Sequence, residues 1–232
     1  MDLKQEAAQR ALSYVQDGMV LGLGTGTTTT EFITLLGHKL RSGEIRDVVG
    51  VPTSEGTARL ARDEDIPLLP LSELSPHRAL PSLDLAVDGA DEIDSSLNLI
   101  KGLGHALLRE KIIESHAEVF LVIADETKLV SRLGRGPLPV EIVQFEHAAQ
   151  LRWLSTLGCR VELWLENNGE PIITDNGNYL VRCWFTDGIP DAYLLARTLA
   201  DQPGIVEYGL FLDMADIAII AGEDGIQVKE RT

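Results

Sequence analysis

The chain is poor in cysteine, in aromatic residues and in positive charge. Its 232 residues include two cysteines and 5% aromatic residues, and 36 acids outnumber the 20 lysines and arginines, which gives a formal net charge of −16. Nucleic-acid binding depends on lysine and arginine side chains that neutralise phosphates, so this charge argues against a nucleic-acid partner. The negative net charge would also repel an anionic membrane surface, which argues against such a surface as a partner.

Signals for membrane insertion and secretion are missing as well. No apolar run approaches the roughly 18 residues of a membrane span, and the first residues, MDLKQEAAQR, are too polar for a signal peptide. Cys159 and Cys183 are isolated, with no C-x-x-C pair, so we interpret both as packing residues in a reducing compartment. These observations predict a cytoplasmic protein.

The usual cofactor motifs are incomplete. Counted from Gly22 or from Gly24, the dinucleotide fingerprint G-x-G-x-x-G has a threonine in its last place, and no lysine follows for a nucleotide P-loop. A calcium loop that began at Asp88 would need a glutamate at its twelfth position, where Leu99 stands. Neither cysteine has a histidine at zinc-binding spacing. The sequence therefore predicts no metal and no redox cofactor.

Short apolar runs that alternate with helical patterns predict an α/β fold. Strands in this order, with helices between them, form a parallel sheet that is covered on both faces. In the first part of the chain they are predicted at residues 19–23, 47–51, 66–69, 83–87 and 119–124. Two more strands, at residues 215–221 and 226–228, are explained most simply if the chain returns to that sheet.

The pattern changes after Pro137. The predicted order becomes β-α-β-β-α-β, and the segment DNGN at residues 175–178 is a strong hairpin signal within it. This order is that of the ferredoxin-like α+β arrangement. We therefore predict a Rossmann-like parallel-sheet domain, residues 1–130 and 210–232, into which a ferredoxin-like α+β domain, residues 131–209, is inserted.

A glycine-rich turn follows the first predicted strand. The sequence GLGTGTT at residues 22–28 leads from that strand into a helix. Such a turn leaves backbone N–H groups pointing outward, where they can bind an anion, and the threonine hydroxyls add further donors. Simple packing of the helix on the sheet is the alternative interpretation.

The stretch LDLAVDGADEIDSSLNLIKGLGHALLREKI, at residues 83–112, carries the strongest functional signal. A buried strand ends at Asp88 and Asp91, Lys101 lies in a glycine loop, and the helix that follows carries Glu110. Acids, a lysine and exposed amides this close together suggest acid–base chemistry on an anionic, oxygen-rich small molecule. Taken singly, they also fit a solvated turn, a capping loop and a surface glutamate.

These segments resemble, nearly end to end, the ribose-5-phosphate isomerases of type A. The resemblance rests on GLGTGTTT at residues 22–29, GVPTS at 50–54, VDGADEID at 87–94, IKGLGHALLREKI at 100–112, VIADETK at 122–128, GPLPVEIV at 136–143, TDNGN at 174–178 and PGIVEYGLF at 203–211. It implies a two-domain enzyme that interconverts D-ribose 5-phosphate and D-ribulose 5-phosphate without a cofactor, in the pentose phosphate pathway or in carbon fixation. It also implies a homodimer or a homotetramer.

The resemblance assigns roles residue by residue. It makes Glu110 the base that moves a proton through an enediolate intermediate, and Lys101 with the loop amides the stabiliser of the oxyanion. Asp88 and Asp91 hold sugar hydroxyls, and the resemblance does not say which of the two carries out which proton transfer. Lys128 binds phosphate. The implied substrate-binding residues are Thr25, Gly26, Thr27, Thr28, Asp88, Gly89, Ala90, Asp91, Lys101, Gly102, Leu103, Gly104 and Lys128.

The chain departs from the family pattern at three positions. Thr27 stands where serine is common, Leu103 where glycine is usual, and His105 where glycine or alanine is usual. The amide donors survive all three changes, so the departures bear on loop geometry and substrate affinity.

Two other classes of function stay open. Enzymes of related architecture include sugar-phosphate deaminases and coenzyme A transferases. A non-catalytic sensor of sugar phosphates would keep the anion-binding loops but could dispense with Glu110.

Overall fold

The computed structural model describes residues 2–74 and 82–231 of the chain. Within these ranges six α-helices are formed: α1 (Leu3–Ala11), α2 (Thr27–Ser42), α3 (Glu55–Asp63), α4 (Leu107–Glu114), α5 (His147–Ser155) and α6 (Ala192–Ala200). The strands are β1 (Val20–Leu23), β2 (Val49–Pro52), β3 (Leu83–Asp88), β4 (Glu92–Ile93), β5 (Leu99–Ile100), β6 (Ala117–Asp125), β7 (Leu138–Ile142), β8 (Arg160–Leu163), β9 (Tyr179–Trp184), β10 (Ile205–Tyr208), β11 (Leu210–Phe211), β12 (Ile217–Gly222) and β13 (Gly225–Glu230).

The first and last parts of the chain share one six-stranded sheet, with the order β13-β12-β6-β3-β1-β2. All of its pairings are parallel except that of β12 with β13. The strands other than the edge strand β13 are largely buried because helices cover them, and the apolar core includes Phe32, Leu36 and Val87. The predicted Rossmann-like sheet, including the return of the last two strands, is confirmed.

Local sequence signals explain where the helices of this sheet begin and end. The side chain of Asp2 accepts a hydrogen bond at the start of α1, and Ser54 accepts one from the Thr57 amide at the start of α3. Helix α2 ends at Gly43, whose φ of +74° is the left-handed conformation that terminates many helices. The caps satisfy backbone groups that would otherwise lack partners.

A four-stranded antiparallel sheet with the order β10-β7-β9-β8 forms in the middle of the chain. Its connections run β7-α5-β8-β9-α6-β10, which is the predicted ferredoxin-like arrangement. Val140, Val181 and Leu199 are among the residues of its core. Cys159 and Cys183 belong to the same core and are free thiols, as expected for packing residues.

Two short segments and one small sheet differ from the sequence predictions. Residues 66–69, expected to form a strand, contribute only an isolated bridge between Leu68 and Gly50. Ile173 likewise makes a single bridge, to Tyr179, where a strand was expected at residues 172–174. A three-stranded sheet with the order β11-β5-β4 was not predicted, because two-residue strands are too short to show an alternating pattern.

The chain divides into two compact units. Unit 1 contains Met1–Ala90, Arg109–Lys128 and Met214–Thr232, and unit 2 contains Asp91–Leu108 and Leu129–Asp213. Unit 2 therefore includes β4, β5 and β11, which form the three-stranded sheet. The domain limits near residues 130 and 210 stay a prediction. In the described part of the chain, no helix is long and apolar enough to cross a membrane.

Candidate active site

The order of the parallel sheet creates a binding position at the end of β1. Strands β1 and β3 are neighbours, and the chain runs from β1 to β2 on one side of this pair and from β3 to β6 on the other side. At such a switch point, ligands bind beyond the carboxyl ends of the strands. The turn after β1 and the turn after β3 meet there, because Leu23 pairs with Val87 immediately before them.

Asp88 ties these two turns together. Its carboxylate is fully buried, and one oxygen, Oδ1, accepts hydrogen bonds from the Thr25 amide at 3.0 Å, the Thr29 hydroxyl at 3.1 Å and the Gly89 amide at 2.6 Å. Gly24 makes the approach possible, because a Cβ atom there would lie 2.0 Å from Asp88 Cγ. This predicted site residue therefore also holds the glycine-rich turn in place.

The hydroxyl of Thr25 joins a cluster of hydroxyl groups from the turn after β2 and the first turn of α3. Its Oγ1 atom lies 2.9 Å from Oγ1 of Thr53, 2.9 Å from Oγ of Ser54 and 3.0 Å from Oγ1 of Thr57. Thr57 in turn donates to the carbonyl oxygen of Gly24 at 2.7 Å. The side chain of Thr25 thus braces the turn from within.

Gly26, Thr27 and Thr28 stand at the start of α2. Gly26 and Thr27 are exposed, and Thr28 is half-buried. Amides at the start of a sixteen-residue helix are suited to an anion such as phosphate. Lys4 of α1 donates from Nζ to Thr27 Oγ1 at 3.0 Å and brings a positive charge to this turn. Sequence reasoning did not single out Lys4, since 22 residues separate it from Thr27 in the chain.

Glu110 lies in the first turn of α4 and is only 2% exposed. Three residues later, Ile113 packs with Val51 and Leu83 of the parallel sheet. Residues three apart share a helix face, so Glu110 lies on the face that packs on the sheet. The surface interpretation of Glu110 is therefore wrong for this structure.

The direction of α4 follows from its exit. The carbonyl oxygen of His116, just past the helix, accepts from the amides of Ser82 at 2.8 Å and Leu83 at 2.9 Å, where β3 begins. The end of α4 thus lies near the amino ends of the strands, and its first turn points toward their carboxyl ends. Arg109, beside Glu110, pairs with Glu55 at 2.9 Å.

Gly89, Ala90 and Lys128 lie at the carboxyl ends of neighbouring strands. Gly89 and Ala90 follow β3 directly and are half-buried. Strand β6 pairs with β3 and is followed by a short 3-10 turn, Glu126–Lys128, whose last residue is half-buried. The structure therefore brings Lys128 to the same edge of the sheet as Asp88.

In unit 2, a hairpin brings Asp91 and Lys101 together. Strands β4 and β5 pair antiparallel, with Glu92 opposite Ile100, so Asp91 and Lys101 flank the paired ends. The Asp91 amide donates to the carbonyl oxygen of Ile100 at 2.8 Å, and the Leu103 amide donates to Asp91 Oδ2 at 2.9 Å. Asp91 thus fixes the start of the glycine loop that follows.

Lys101 is only 2% exposed, and its Nζ atom lies 5.5 Å from the centre of the Phe211 ring. Its amide donates to the carbonyl oxygen of Gly209 at 3.0 Å. A buried ammonium group interacts strongly with nearby negative charge because little water screens it.

Residues 101–105 form a compact loop, which we call the lysine loop. Gly102 has φ +109°, and a Cβ atom there would lie 2.8 Å from the Leu107 side chain. Leu103 and Gly104 are exposed. His105 closes the loop through a hydrogen bond from its amide to the carbonyl oxygen of Gly102 at 3.0 Å. Burial lowers the pKa of His105 below its ordinary value of 6.5, although Glu166 acts in the opposite direction.

Metal ligands do not cluster in the described ranges, 2–74 and 82–231. No group of three or more histidine, cysteine, aspartate or glutamate side chains there has a geometry that could hold a metal ion. The predicted site groups are acids, lysines, hydroxyls and backbone amides, which are suited to binding and protonating a phosphorylated sugar.

Comparison with known proteins gives one consistent result. Residues 49–225 match the family model described as ribose 5-phosphate isomerase A (phosphoriboisomerase A). A ribose-5-phosphate isomerase A from Roseiflexus castenholzii is 50% identical over 96% of this chain and 93% of the relative.

Solved structures agree with the sequence relatives. A D-ribose-5-phosphate isomerase in complex with phospho-erythronic acid superposes with a TM-score of 0.94 at 44% identity, over 99% of this chain and 98% of the other. The ribose 5-phosphate isomerase from Plasmodium falciparum gives a TM-score of 0.93 at 38% identity, over the same shares of the two chains. The chain therefore belongs to the ribose 5-phosphate isomerase A family of enzymes.

Proposed function

We propose that this protein interconverts D-ribose 5-phosphate and D-ribulose 5-phosphate through an enediolate. The observation that carries the proposal is the full-length similarity to ribose-5-phosphate isomerases, combined with a buried carboxylate at Glu110 and a buried ammonium at Lys101. Converting the aldose to the ketose moves one proton from C2 to C1 and another from O2 to O1, and it passes through negative charge on the sugar oxygens. The reaction therefore needs one base and at least one stabilised oxyanion.

Glu110 is the proposed base. In the forward direction its carboxylate removes the C2 proton of the open-chain aldose and returns a proton to C1 of the enediolate. Burial favours this role, since it keeps bulk water away from the carboxylate and from the proton that it transfers. General-base catalysis is typically worth ~10²–10⁴ in rate.

Lys101 and the amides of the lysine loop are the proposed stabilisers of the enediolate oxygens. The ammonium group has little solvent around it, so its attraction for developing negative charge is weakly screened. Removing one such donor typically costs ~10²–10³ in kcat. The proposal requires that Glu110 and Lys101 act on one sugar.

Asp88 and Asp91 are proposed to hold sugar hydroxyls and to move protons between oxygens, including in ring opening. Both carboxylates also hold backbone amides, from Thr25 and Gly89 in one case and Leu103 in the other. This double use orients the carboxylates before the substrate arrives. The proposal assigns hydroxyl binding and proton transfer to the two residues together.

The phosphate is proposed to bind at the start of α2. Gly26, Thr27 and Thr28 supply amides and hydroxyls there, and Lys4 and Lys128 supply positive charge. Thr25, Gly89, Ala90, Gly102, Leu103 and Gly104 complete the proposed substrate-binding set. A homodimer or homotetramer, a cytoplasmic location and the absence of a cofactor remain predictions.

The ligand of one solved relative supports the enediolate. That relative binds phospho-erythronic acid, whose carboxylate has two oxygens on a planar carbon, as an enediolate has two oxygens on a planar carbon pair. A site that stabilises the intermediate should bind such an acid more tightly than the substrate.

The test is a direct assay of the purified chain with ribose 5-phosphate in buffer that contains a chelator. We expect ribulose 5-phosphate to appear by NMR, and phospho-erythronic acid to inhibit competitively. In D₂O, proton transfer through a base should introduce deuterium at C1 of the ketose. Absence of turnover would contradict the isomerase activity, and turnover with no exchange at all would favour a hydride shift over the enediolate.

A further inference from the structure

The lysine loop ends in an unusual backbone conformation. His105 has φ +68°, in the left-handed region that residues with a Cβ atom seldom adopt. Such a conformation persists where surrounding contacts hold it, and it is often found at functional sites. The loop therefore needs a contact at His105 that compensates for the conformation.

Trp164 supplies that contact. The rings of His105 and Trp164 meet edge to face, with centroids 4.5 Å apart and planes at 86°. This is a favourable aromatic geometry, and burial of the imidazole lowers its pKa, so that the neutral ring is present at neutral pH.

Trp164 is itself fixed from several sides. It follows β8, and its amide donates to the carbonyl oxygen of Leu180 in β9 at 2.8 Å. The Arg182 guanidinium lies 5.1 Å from the centre of its ring. Its side chain also packs against a buried cluster of Leu107, Ile172 and Leu180. Leu107 is the first residue of α4, so Trp164 contacts the chain just after the loop as well as at His105.

We propose that Trp164 is a positioning residue that acts through His105 to hold the amides of the lysine loop, and with them Lys101, in the geometry that stabilises the reaction's oxyanion. The inference rests on the proposed isomerase function. Trp164 itself does not touch the reacting atoms in this proposal. Its effect is on the arrangement of donors, which matters most when charge develops on the substrate.

Four single variants and the double variant Trp164→Leu/His105→Asn test the proposal in steady-state assays at several substrate concentrations. Trp164→Leu removes the ring, Trp164→Phe keeps an aromatic ring, and His105→Asn removes the imidazole while tolerating a positive φ. Trp184→Leu is the matched control. Trp184 lies at the end of β9, and Cζ of Arg160 lies 5.1 Å from the centre of its ring. It therefore tests the loss of a tryptophan that packs on an arginine of β8 and not on the lysine loop.

A displaced catalytic group can cost up to ~10² in rate, so we expect a roughly tenfold loss of kcat for Trp164→Leu and for His105→Asn, with KM changed less than about twofold. Trp164→Phe should recover most of the rate. The double variant should lose about as much as each single variant, because both break the same contact. Inhibition by phospho-erythronic acid should weaken in parallel with kcat, and Trp184→Leu should leave both quantities within about twofold.

Losses that multiply in the double variant would overturn the proposal, and so would equal kcat values for Trp164→Leu and Trp184→Leu. If Trp164→Leu fails to fold, Trp164→Phe and His105→Asn decide the matter, since unchanged kcat in His105→Asn also overturns it. An inactive wild-type protein would instead contradict the proposed isomerase function. The two failures are therefore distinguishable.

Discussion

The turn after β1 and the lysine loop are both glycine-rich, yet they are stabilised by different means. The turn in unit 1 is held by side chains beside it in the sheet, with Asp88 accepting three hydrogen bonds on one oxygen. The lysine loop in unit 2 has two residues with positive φ, Gly102 and His105, and depends on contacts with Asp91 and Trp164. A parallel sheet prepares a binding turn through its own strand ends, whereas a loop after a short hairpin needs support from distant residues.

The difference has an energetic basis. Each donor to Asp88 that lost its partner would leave a buried polar group unsatisfied, at about 1–3 kcal/mol. A non-glycine residue in the left-handed region costs of order 1–3 kcal/mol before any contact compensates for it. The first site is stable because hydrogen bonds are satisfied, and the second because strain is offset.

The largest expected effect concerns Glu110, which belongs to neither glycine-rich segment. Glu110→Gln keeps the size of the side chain but removes the base, so kcat should fall by at least ~10² with KM little changed. Glu114→Gln, four residues later on the same buried face, is the matched control and should keep kcat within a few-fold. Near wild-type turnover of Glu110→Gln in a steady-state assay would remove Glu110 from the base role.

Lys101→Met tests the chemical part of the lysine loop. Methionine fills the buried site beside Phe211 without a charge, so kcat should fall by ~10²–10³ while the fold is kept. Lys39→Met, at the far end of α2, serves as the control for losing one positive charge. A kcat within threefold of wild type would show that the ammonium group does not stabilise the transition state.

Gly24→Ala tests how rigid the turn in unit 1 is. The added Cβ atom would overlap Asp88, so urea unfolding should show a loss of about 1–3 kcal/mol. Gly56→Ala is the control, because its Cβ atom would meet nothing closer than 3.6 Å and alanine favours a helix by roughly 0.8–1.0 kcal/mol over glycine. Equal stability of the two variants would mean that the turn yields easily.

Lys128→Ala tests phosphate binding at the carboxyl ends of the strands. We expect KM for ribose 5-phosphate to rise several-fold to about tenfold, with a smaller change in kcat, since a remote charge contributes to binding in both states. Lys4→Ala should act in the same direction because Lys4 contacts Thr27. An unaltered KM in both variants would count against phosphate binding at this turn.

The smallest expected effect is on stability as a function of pH. Because burial lowers the folded-state pKa of His105 below 6.5, the unfolded chain takes up the proton first as pH falls. The contribution of neutral His105 to the free energy of unfolding is therefore fully present above its pKa in the unfolded chain. It is lost as pH falls from about 6.5 toward its pKa in the folded protein. Urea unfolding between pH 7.5 and pH 5, in steps of about 0.5, should therefore show a steeper decline for wild type than for His105→Asn. Parallel curves would contradict the prediction.

The parallel sheet and its turn were predictable from sequence because their signals are local. Apolar runs that end in GLGTGTT and in DGADE identify strand ends and turns without knowledge of neighbours. The ferredoxin-like order was predictable for the same reason, from alternating patterns and the DNGN hairpin signal. Strand limits moved by only a few residues, as in β7, which begins at Leu138 instead of Val140.

What could not be predicted depends on distance in space. Lys4 meets Thr27 only once α1 packs beside α2, and 58 residues of the chain separate His105 from Trp164. One sequence signal for the hairpin of β4 and β5 was available, the turn-forming segment DSSLN at residues 94–98, between Ile93 and the apolar pair Leu99 and Ile100. Local composition alone did not predict the burial of Glu110, because the charged neighbours Arg109 and Lys111 are typical of an exposed helix face. Its place in the site was predicted from the family resemblance.

The contact between Gly24 and Asp88 has a consequence for how this sequence can change over generations. Every amino acid other than glycine adds the same Cβ atom, so each single-nucleotide change of the codon that alters the residue meets the same obstacle, whatever its polarity or charge. Tolerance at residue 24 would first require a shorter or shifted group at residue 88. Substitution at the two positions is therefore expected to be ordered, with the acid changing before the glycine can.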